Sequence, residues 1–332
     1  MFFYRKLPLL SLVIMMGLSS QAMAGDVHTH APIGVMGDHR HKSGEWMVSY
    51  RYMRMDMSQH YAGSSEISVE EVHDDFMISP VDMQMDMHML GGMYGLSDDV
   101  TLMLMVPYLV KDMEHRRRTD SRQFSAASKG VGDISVSGIF SLEQLTEIPV
   151  HFNLGVSLPS GSINRKDDTL AGADQVLPYP MQLGSGTHDL RPGLTYFDHN
   201  DSWSWGAQLS SIIRTGKNTF KYRLGDRYGL TAWTSYKWSD ALSSSLRIEG
   251  SKWGNITGAD PRLNINMTPT ANPGLQAGER IDVFVGLNYM QHEGWLKDHR
   301  LALEFGFPVY QHLSGPQLAV GLQGTIGWQK AF

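Results

Sequence analysis

Residues 317–332 read QLAVGLQGTIGWQKAF and end the chain on an alternating pattern. Large apolar side chains recur at every second position through most of this segment, and polar side chains fall between them. A period of two is the period of a β-strand, whose successive side chains point to opposite faces. We therefore expect a final strand with one apolar and one polar face. The apolar face comprises Leu318, Val320, Leu322, Ile326, Trp328 and Phe332, and the polar face comprises Gln317, Gln323, Thr325 and Gln329.

The same alternation recurs in eleven earlier segments between residues 46 and 307, which predicts about twelve strands. Each has roughly the length that a tilted strand needs to cross a bilayer, about 9–11 residues. Short turns alternate with long loops at 58–80, 109–132, 159–186 and 254–278, as in bacterial outer-membrane barrels. The sequence thus predicts an all-β fold, a transmembrane antiparallel β-barrel. A soluble β-sandwich, which also alternates, is the alternative.

The terminal strand resembles the C-terminal strand of bacterial outer-membrane β-barrels, because it is long, alternating and ends on an aromatic residue, Phe332. This resemblance implies a place in the bacterial outer membrane and recognition of Phe332 by the barrel-assembly machinery. The surrounding partners would then be outer-membrane lipid and lipopolysaccharide. The run Arg116-Arg117-Arg118 in a predicted outer loop is a candidate contact to anionic headgroups, although a solvated charged loop explains it as well.

Three regions follow from the pattern. Residues 1–24 have a basic start at Arg5 and Lys6, an apolar core and an Ala22-Met23-Ala24 cleavage motif, which predicts a secretory signal peptide. Residues 25–44 form a His-rich periplasmic segment that could plug the lumen, and residues 45–332 form the barrel. The chain has no cysteine, which excludes thiolate sites, and its net charge of −6 does not favour nucleic-acid binding.

Methionine is concentrated near the start of the predicted barrel, where 14 of the 21 methionines lie between Met36 and Met113. If charged residues face the lumen, Arg51 directs the odd positions of the first strand inward. The same rule directs Asp82, Asp86 and His88 of the second strand inward, and the regular Leu/Val face of the third strand directs Met103 and Met105 inward. The run Met83, Met85, Met87 and Met89 is then expected to face lipid as apolar filler.

Thioether and imidazole groups are ligands suited to copper, so one hypothesis is a path for Cu(I) or Ag(I). A second is an adaptable apolar wall for an aromatic or apolar solute. A third is space-filling in a closed lumen. No other cofactor is indicated. The candidate metal ligands are Met47, Met53, Met55, Met57, His60, Asp86, His88, Met103, Met105, Met113 and His115 in the barrel and loops, with His28, His30, His39 and His41 in the N-terminal segment.

Charged side chains of both signs are expected to line the rest of the lumen, where they could set a field across a pore or form closed salt bridges. An enzyme is not expected. A twelve-stranded outer-membrane phospholipase family uses Ser and His on the outer wall, but no such Ser, His and acid triplet lies on one outward face here, and no GxSxG motif occurs. The candidate lumen charges are Arg51, Arg191, Arg227, Arg247, Glu249, Asp282, Arg300 and Glu304.

Three short motifs carry a family resemblance. They are the turn from Tyr94 to Val100, the segment Val106-Pro107-Tyr108 and the strand start from Gly130 to Ile134. Together they resemble the meta-pathway phenol-degradation-like outer-membrane transporter family. The resemblance covers residues 45–330 as architecture, and it implies uptake of aromatic compounds. The Met and His enrichment departs from that pattern.

We therefore predict a monomeric outer-membrane channel or transporter whose first three strands bind or pass a soft metal ion such as copper. The alternatives are a porin-like path for small apolar or aromatic compounds and a structural barrel that transports nothing.

Overall fold

The computed structural model describes residues 27–332, so the predicted signal peptide, residues 1–24, lies outside the described residues. The described chain is almost entirely strand, and eleven of its strands close into one antiparallel barrel. In chain order the strands are β1 (Trp46–Gly63), β2 (Ser65–Ile67), β3 (Ile78–Ser97), β4 (Val100–Arg117), β5 (Gln123–Val131), β6 (Ser135–Ser141), β7 (Val150–Ser157), β8 (Lys166–Thr169), β9 (Gly172–Val176), β10 (Asp189–His199), β11 (Trp203–Arg214), β12 (Arg227–Ser239), β13 (Leu242–Trp253), β14 (Gly278–Met290) and β15 (His299–Ala331).

The last strand, β15, is 33 residues long and turns back on itself. Its first half pairs with β14 as far as Leu313, and its second half pairs with β1 from Leu313 to Ala331. The two halves touch, because Trp328 Nε1 donates to His299 Nδ1 at 2.9 Å and Gln311 Nε2 donates to the Val320 carbonyl at 2.9 Å. Counting these halves separately, the chain crosses the wall twelve times.

Pairing of β1 with β15 closes the barrel. The backbones of Trp46 and Phe332 exchange two hydrogen bonds, and their rings stack with centroids 5.0 Å apart. Closure leaves no unpaired edge among the eleven barrel strands, and a bilayer could not solvate such an edge. The outward positions of the wall are large and apolar, as at Leu90, Leu230 and Ile326. The predicted transmembrane antiparallel barrel is confirmed.

The second half of β15 departs, near its start, from the predicted alternation of inward and outward side chains. Between Met55 and Met57 of β1 the partner moves from Gln323 to Val320, so three residues of β15 oppose two of β1. This extra residue is a β-bulge, which reverses the facing of the residues beyond it. Val320 is consequently buried and Leu318 packs against inner side chains, whereas the structure leaves Leu322 exposed on the outer wall.

Long connections lie at one end of the barrel, the loop end, and short turns with the C-terminus lie at the other, the turn end. At the loop end, β5 pairs with the half of β4 that extends beyond β6, and β8 and β9 form a separate hairpin. Helix α1 (Val69–Asp75) begins with a capping box between Ser68 and Glu71. Helix α2 (Glu143–Thr146) lies in a turn at the other end. No helix of the described chain is long and apolar enough to span a membrane.

Residues 27–44, which we call the inner segment, enter the barrel from the turn end and fold back as a hairpin. Wall side chains hold its carbonyl groups: Arg51 Nε donates to Ile33 at 3.1 Å, and Arg300 Nη2 donates to Ala31 at 2.6 Å. Gly37 has a φ of +66°, a conformation that glycine adopts without steric cost. The inner segment is therefore bonded to the wall on several sides.

Candidate functional site: the barrel lumen

Methionine side chains form the inner face of three neighbouring strands, β1, β3 and β4. The strand registers place methionines opposite one another, as at Met55 with Met85 and at Met83 with Met113. We call this surface the methionine wall. Within the described residues its methionines are Met47, Met53, Met55, Met57, Met83, Met85, Met87, Met89, Met93, Met103, Met105 and Met113.

The predicted orientation of β3 is wrong. Met83, Met85, Met87 and Met89 line cavities inside the barrel instead of facing lipid. Asp86 and His88, which were expected inside, lie on the outer wall. There Tyr52 donates to Asp86 Oδ1 at 2.6 Å, and Tyr50 Oη lies 2.8 Å from His88 Nδ1.

The error has a physical cause, which is that the outer wall changes character along β3. Toward the loop end the outward positions are polar, and Arg54, Gln84 and Asp86 form one hydrogen-bonded group there. Charge therefore does not mark the lumen side in this half of the strand. In the half of β3 nearer the turn end, apolar side chains mark the outer side instead. Leu90 and Tyr94 are exposed there, on the same parity as Asp86.

The methionines predicted as metal ligands remain together, but their polar partners do not join them. Met47, Met53, Met55, Met57, Met103 and Met105 all lie on the methionine wall, while Asp86 and His88 are on the opposite side of the sheet. Met113 packs with Met83, Leu177 and Met181 at the loop end. The predicted patch is thus a thioether and alkyl surface to which β3 adds no imidazole or carboxylate.

The two loop-end histidines of the prediction are buried in local contacts. His60 Nε2 lies 3.3 Å from Ser79 Oγ, and the His115 ring stacks on Phe124 with centroids 4.9 Å apart. Arginines of the nearby run bond within the loops, since Arg117 pairs with Asp120 and Arg118 donates to the His73 carbonyl at 2.7 Å. A lipopolysaccharide contact by this run stays a prediction.

An upper cavity of about 540 Å³ lies against the loop-end half of the methionine wall. Met55, Met57, Met83, Met85 and Met113 form one side. The facing side comes from the loops and from β11 to β15, and it mixes apolar with polar side chains. Its charged members are Asp133, Arg214, Arg227 and Arg280, and its apolar members include Tyr179, Leu183, Leu224, Trp253, Ile256, Leu313, Leu318 and Val320.

Three long loops pack together above this cavity and form a cap. Tyr179 and Tyr222 contact edge to face with centroids 4.9 Å apart, and Ile256 packs with them. Burial raises the pKa of the Tyr222 phenol to about 12. Tyr179 Oη also accepts a hydrogen bond from the Asp260 amide at 3.0 Å. The cap is therefore a packed structure with its own small core.

Lys111 connects the methionine wall to the cap, a role that the sequence analysis missed. Its Nζ donates to the carbonyls of Pro180 and Gln182, both at 2.7 Å. The side chain is buried among methionine neighbours in β3 and β4. A lone lysine on the inward parity of an otherwise apolar face was the available signal, because a buried ammonium group requires acceptors.

A lower cavity, also about 540 Å³, continues toward the turn end. The two cavities share Asp133 and Arg227 in their linings, so they adjoin at that level. Met87, Met89, Met103 and Met105 line one side of the lower cavity. The tip of the inner segment, Gly34 to Met36, lines its floor.

The side of the lumen that faces the methionine wall carries charges, and we call it the charged wall. It comprises the inner faces of β10–β14 and the first half of β15. Glu304 accepts from Arg247 Nε at 2.8 Å and from Nη2 at 2.9 Å, and Glu249 pairs with the same guanidinium. Asp282 accepts from Arg280 Nε at 2.7 Å.

The remaining predicted lumen charges also lie inside the barrel. Arg51 and Arg300 bond to the inner segment, and Arg300 donates in addition to Gln329 at 2.6 Å. Arg191 and Arg227 line the lower cavity. One part of the charged wall therefore holds the inner segment, and another part faces the cavity.

The histidines of the inner segment lie at the turn end of the lumen. His28 Nε2 is 2.8 Å from the Asn200 carbonyl, whereas His30, His39 and His41 lie close to one another. Burial lowers the pKa of His41 to about 3. Burial alone would raise the pKa of Asp38, but the adjoining His39, together with His30 and Arg300, holds it well below its usual range. The described residues thus place three imidazoles and one carboxylate together.

Comparison with known proteins identifies the fold. No family model matches this sequence, and no curated protein sequence matches it. The crystal structure of the COG4313 outer membrane channel from Pseudomonas putida F1 superposes with a TM-score of 0.59 at 15% identity, covering 90% of this chain and 99% of that chain. The transport unit of the autotransporter AIDA-I from Escherichia coli gives a TM-score of 0.49 at 11% identity, covering 90% and 93%.

The likeness to the Pseudomonas putida channel extends over nearly the whole of both chains, and at this identity it concerns the fold. It agrees with the sequence resemblance to an outer-membrane transporter family and with the closed barrel. The chain has the fold of an outer-membrane channel, and its place is the bacterial outer membrane.

Proposed function

We propose that the protein is a passive channel for small, largely apolar or aromatic solutes, which pass along the methionine wall. The observation that carries this proposal is the continuity of that wall. It lines the upper cavity through Met55 and Met85 and the lower cavity through Met87 and Met105, and the inner face of β3 carries only methionines from Met83 to Met89. The ammonium group of Lys111, which pairs with Met85 from β4, is held by two cap carbonyls.

Methionine suits this role because its unbranched side chain has three rotatable bonds and adapts to the shape of a neighbour. Its sulfur also makes favourable contacts with aromatic rings, worth about 0.3–1.5 kcal/mol each. A wall of a dozen such side chains offers a solute many weak and exchangeable contacts. Weak contacts at many positions favour passage over retention.

The charged wall supplies orientation. Arg191, Arg227 and the Arg247–Glu249 pair line the lower cavity opposite Met87 and Met105, so a solute there meets thioethers on one side and mainly guanidinium groups on the other. This arrangement fits a small ring that carries a hydroxyl or carboxylate group. The substrate class we propose is therefore phenols and aromatic acids.

Passage of Cu(I) or Ag(I) is the competing function, and it has less support because the wall offers only thioethers once Asp86 and His88 lie outside. Substitution separates the two functions. Leucine keeps the apolar character of methionine but removes the sulfur ligand, whereas glutamine keeps the length but removes the apolar character.

The experiment compares M85L/M87L with M85Q/M87Q in a porin-deficient Gram-negative host, measuring uptake of radiolabelled phenol and benzoate at limiting concentration. We expect uptake within about twofold of the parent for the leucine variant and a loss of about tenfold for the glutamine variant, equivalent to ~1.4 kcal/mol. Heat-modifiable mobility of the extracted barrels controls for folding. Equal uptake of phenol and benzoate by both variants would contradict the proposal. Binding and uptake of Ag(I) are measured in parallel, and their loss in the leucine variant would favour the metal path.

A further inference from the structure

The inner segment brings metal-ligating side chains together from its two arms. One ligand atom each from His30, Asp38 and His39 lies within 4.8 Å of the others. The His30 and His39 rings have centroids 5.1 Å apart, and the ring of His41 lies 5.0 Å beyond that of His39. His30 belongs to the entering arm and the other three residues belong to the returning arm.

Backbone bonding fixes the two arms at this distance. The Ala31 amide donates to Asp38 Oδ2 at 3.0 Å, and the Val35 amide donates to the Pro32 carbonyl at 2.9 Å in the turn between them. Thr101 Oγ1 accepts from the His41 amide at 2.9 Å, which ties the returning arm to β4. The cluster is thus held by the wall as well as by its own hairpin.

Several ring nitrogens of the cluster are buried without a hydrogen-bond partner. They include His30 Nδ1, His39 Nε2 and His41 Nε2. A buried nitrogen left unpaired costs about 1–3 kcal/mol. Three such nitrogens in one place therefore indicate a bound ion that accepts their lone pairs. Arg300 lies close and opposes a cation, but the Asp38 carboxylate offsets its charge.

We propose that His30, Asp38 and His39, with His41 as a fourth ligand, form a binding site for one divalent transition-metal ion of the zinc class. Imidazole nitrogen and carboxylate oxygen are the usual ligands of Zn²⁺, which favours four-coordinate tetrahedral sites. The ion connects the two arms and holds the inner segment in the lumen. The site lies at the turn-end edge of the methionine wall, where Met47 lines the same cavity as His30, His39 and His41. The proposal does not depend on which solute the channel carries.

The test uses the full exported chain, extracted from outer membranes and stripped with a chelator. Calorimetric titration with Zn²⁺ is expected to give one site with a micromolar or tighter Kd, and Co²⁺ is expected to give the visible absorption of a tetrahedral site. H30Q and H39Q are each expected to weaken Zn²⁺ binding at least tenfold. H88Q on the outer wall and H292Q in a turn are matched controls that should leave it unchanged.

A second measurement reports on the arms themselves. Zn²⁺ is expected to slow tryptic cleavage at Arg40 and Lys42 in the parent and in the controls, but not in H30Q/H39Q. Heat-modifiable mobility establishes that each variant retains the barrel. Absence of Zn²⁺ binding to the folded parent would overturn the proposal, as would equal binding by the parent and H30Q/H39Q.

Discussion

The methionine wall and the charged wall enclose one lumen, but they are built in different ways. On β1, β3 and β4 the inner side chains are mainly unbranched thioethers, which line two cavities. On β13 to β15 they are guanidinium and carboxylate groups in fixed pairs, such as Arg247 with Glu304. The same barrel therefore has an adaptable side and a rigid side.

The difference separates two tasks. Buried ionic groups demand defined geometry, because each charge needs its partner to offset the loss of hydration. Methionine demands no partner and adopts several conformations at little cost. A channel that must hold an inner segment and also admit varied solutes benefits from placing these properties on opposite sides.

The largest effect is expected on the charged wall. In E304A the guanidinium of Arg247 loses the two hydrogen bonds that it donates to a carboxylate that is only 2% exposed. Breaking a buried pair from one side costs about 3–5 kcal/mol. Because Arg247 keeps Glu249 as a second partner, we expect the loss in E304A to lie at the lower end of that range. Urea unfolding of the refolded barrel, followed by tryptophan fluorescence, measures this loss.

The double variant R247M/E304L is the control for E304A. It removes both charges and keeps apolar volume, so we expect it to recover most of the lost stability. If E304A unfolds within about 1 kcal/mol of the parent, Glu304 is not a rigid element and the distinction between the walls fails on this side.

The same distinction explains how far sequence reasoning reached. Alternation and turn spacing predict the barrel and the number of wall crossings, because both follow from the two-residue period and the bilayer thickness. The rule that charges face the lumen is right for Arg247 and Glu304, which lie where the outer wall is apolar.

The rule is wrong for Asp86 and His88, which lie where the outer wall has already become polar. Leu90 and Tyr94 of the same strand carry the correct signal, since they mark the outward parity at bilayer depth. The bulge in β15 and the bonding of Lys111 to a loop depend on long-range contacts, which no local period encodes.

A smaller effect is expected where a charge interrupts the methionine wall. Lys111 donates to two loop carbonyls, and a hydrogen bond to a charged group contributes about 1.5–3 kcal/mol. In K111M we expect the barrel to remain folded while the loop around Tyr179 to Gln182 loosens. Hydrogen exchange of the 177–185 amides measures this, with faster exchange expected in the variant.

The control for K111M is K129M on β5, where Lys129 is exposed and the same substitution removes a charge from the loop end. In K129M the exchange rates of the 177–185 amides should match those of the parent. Unchanged protection of the 177–185 amides in K111M would show that packing of Tyr179 and Tyr222, rather than the lysine, holds the cap.

The smallest effect is expected within the methionine wall itself, at Met89, which is buried yet lines the lower cavity. M89L conserves volume and apolar character, so the free energy of unfolding should change by less than about 1.5 kcal/mol. Leucine has fewer conformations than methionine, and we expect uptake of a branched aromatic acid to fall about threefold relative to benzoate. L109M on the same face makes the reciprocal change, and it should raise uptake of the branched acid relative to benzoate. These results would show that the adaptability of methionine, and not its apolar area, accounts for its use in the wall. If the ratio of branched-acid uptake to benzoate uptake is the same in both variants and the parent, apolar area is the sole requirement and leucine would serve equally well.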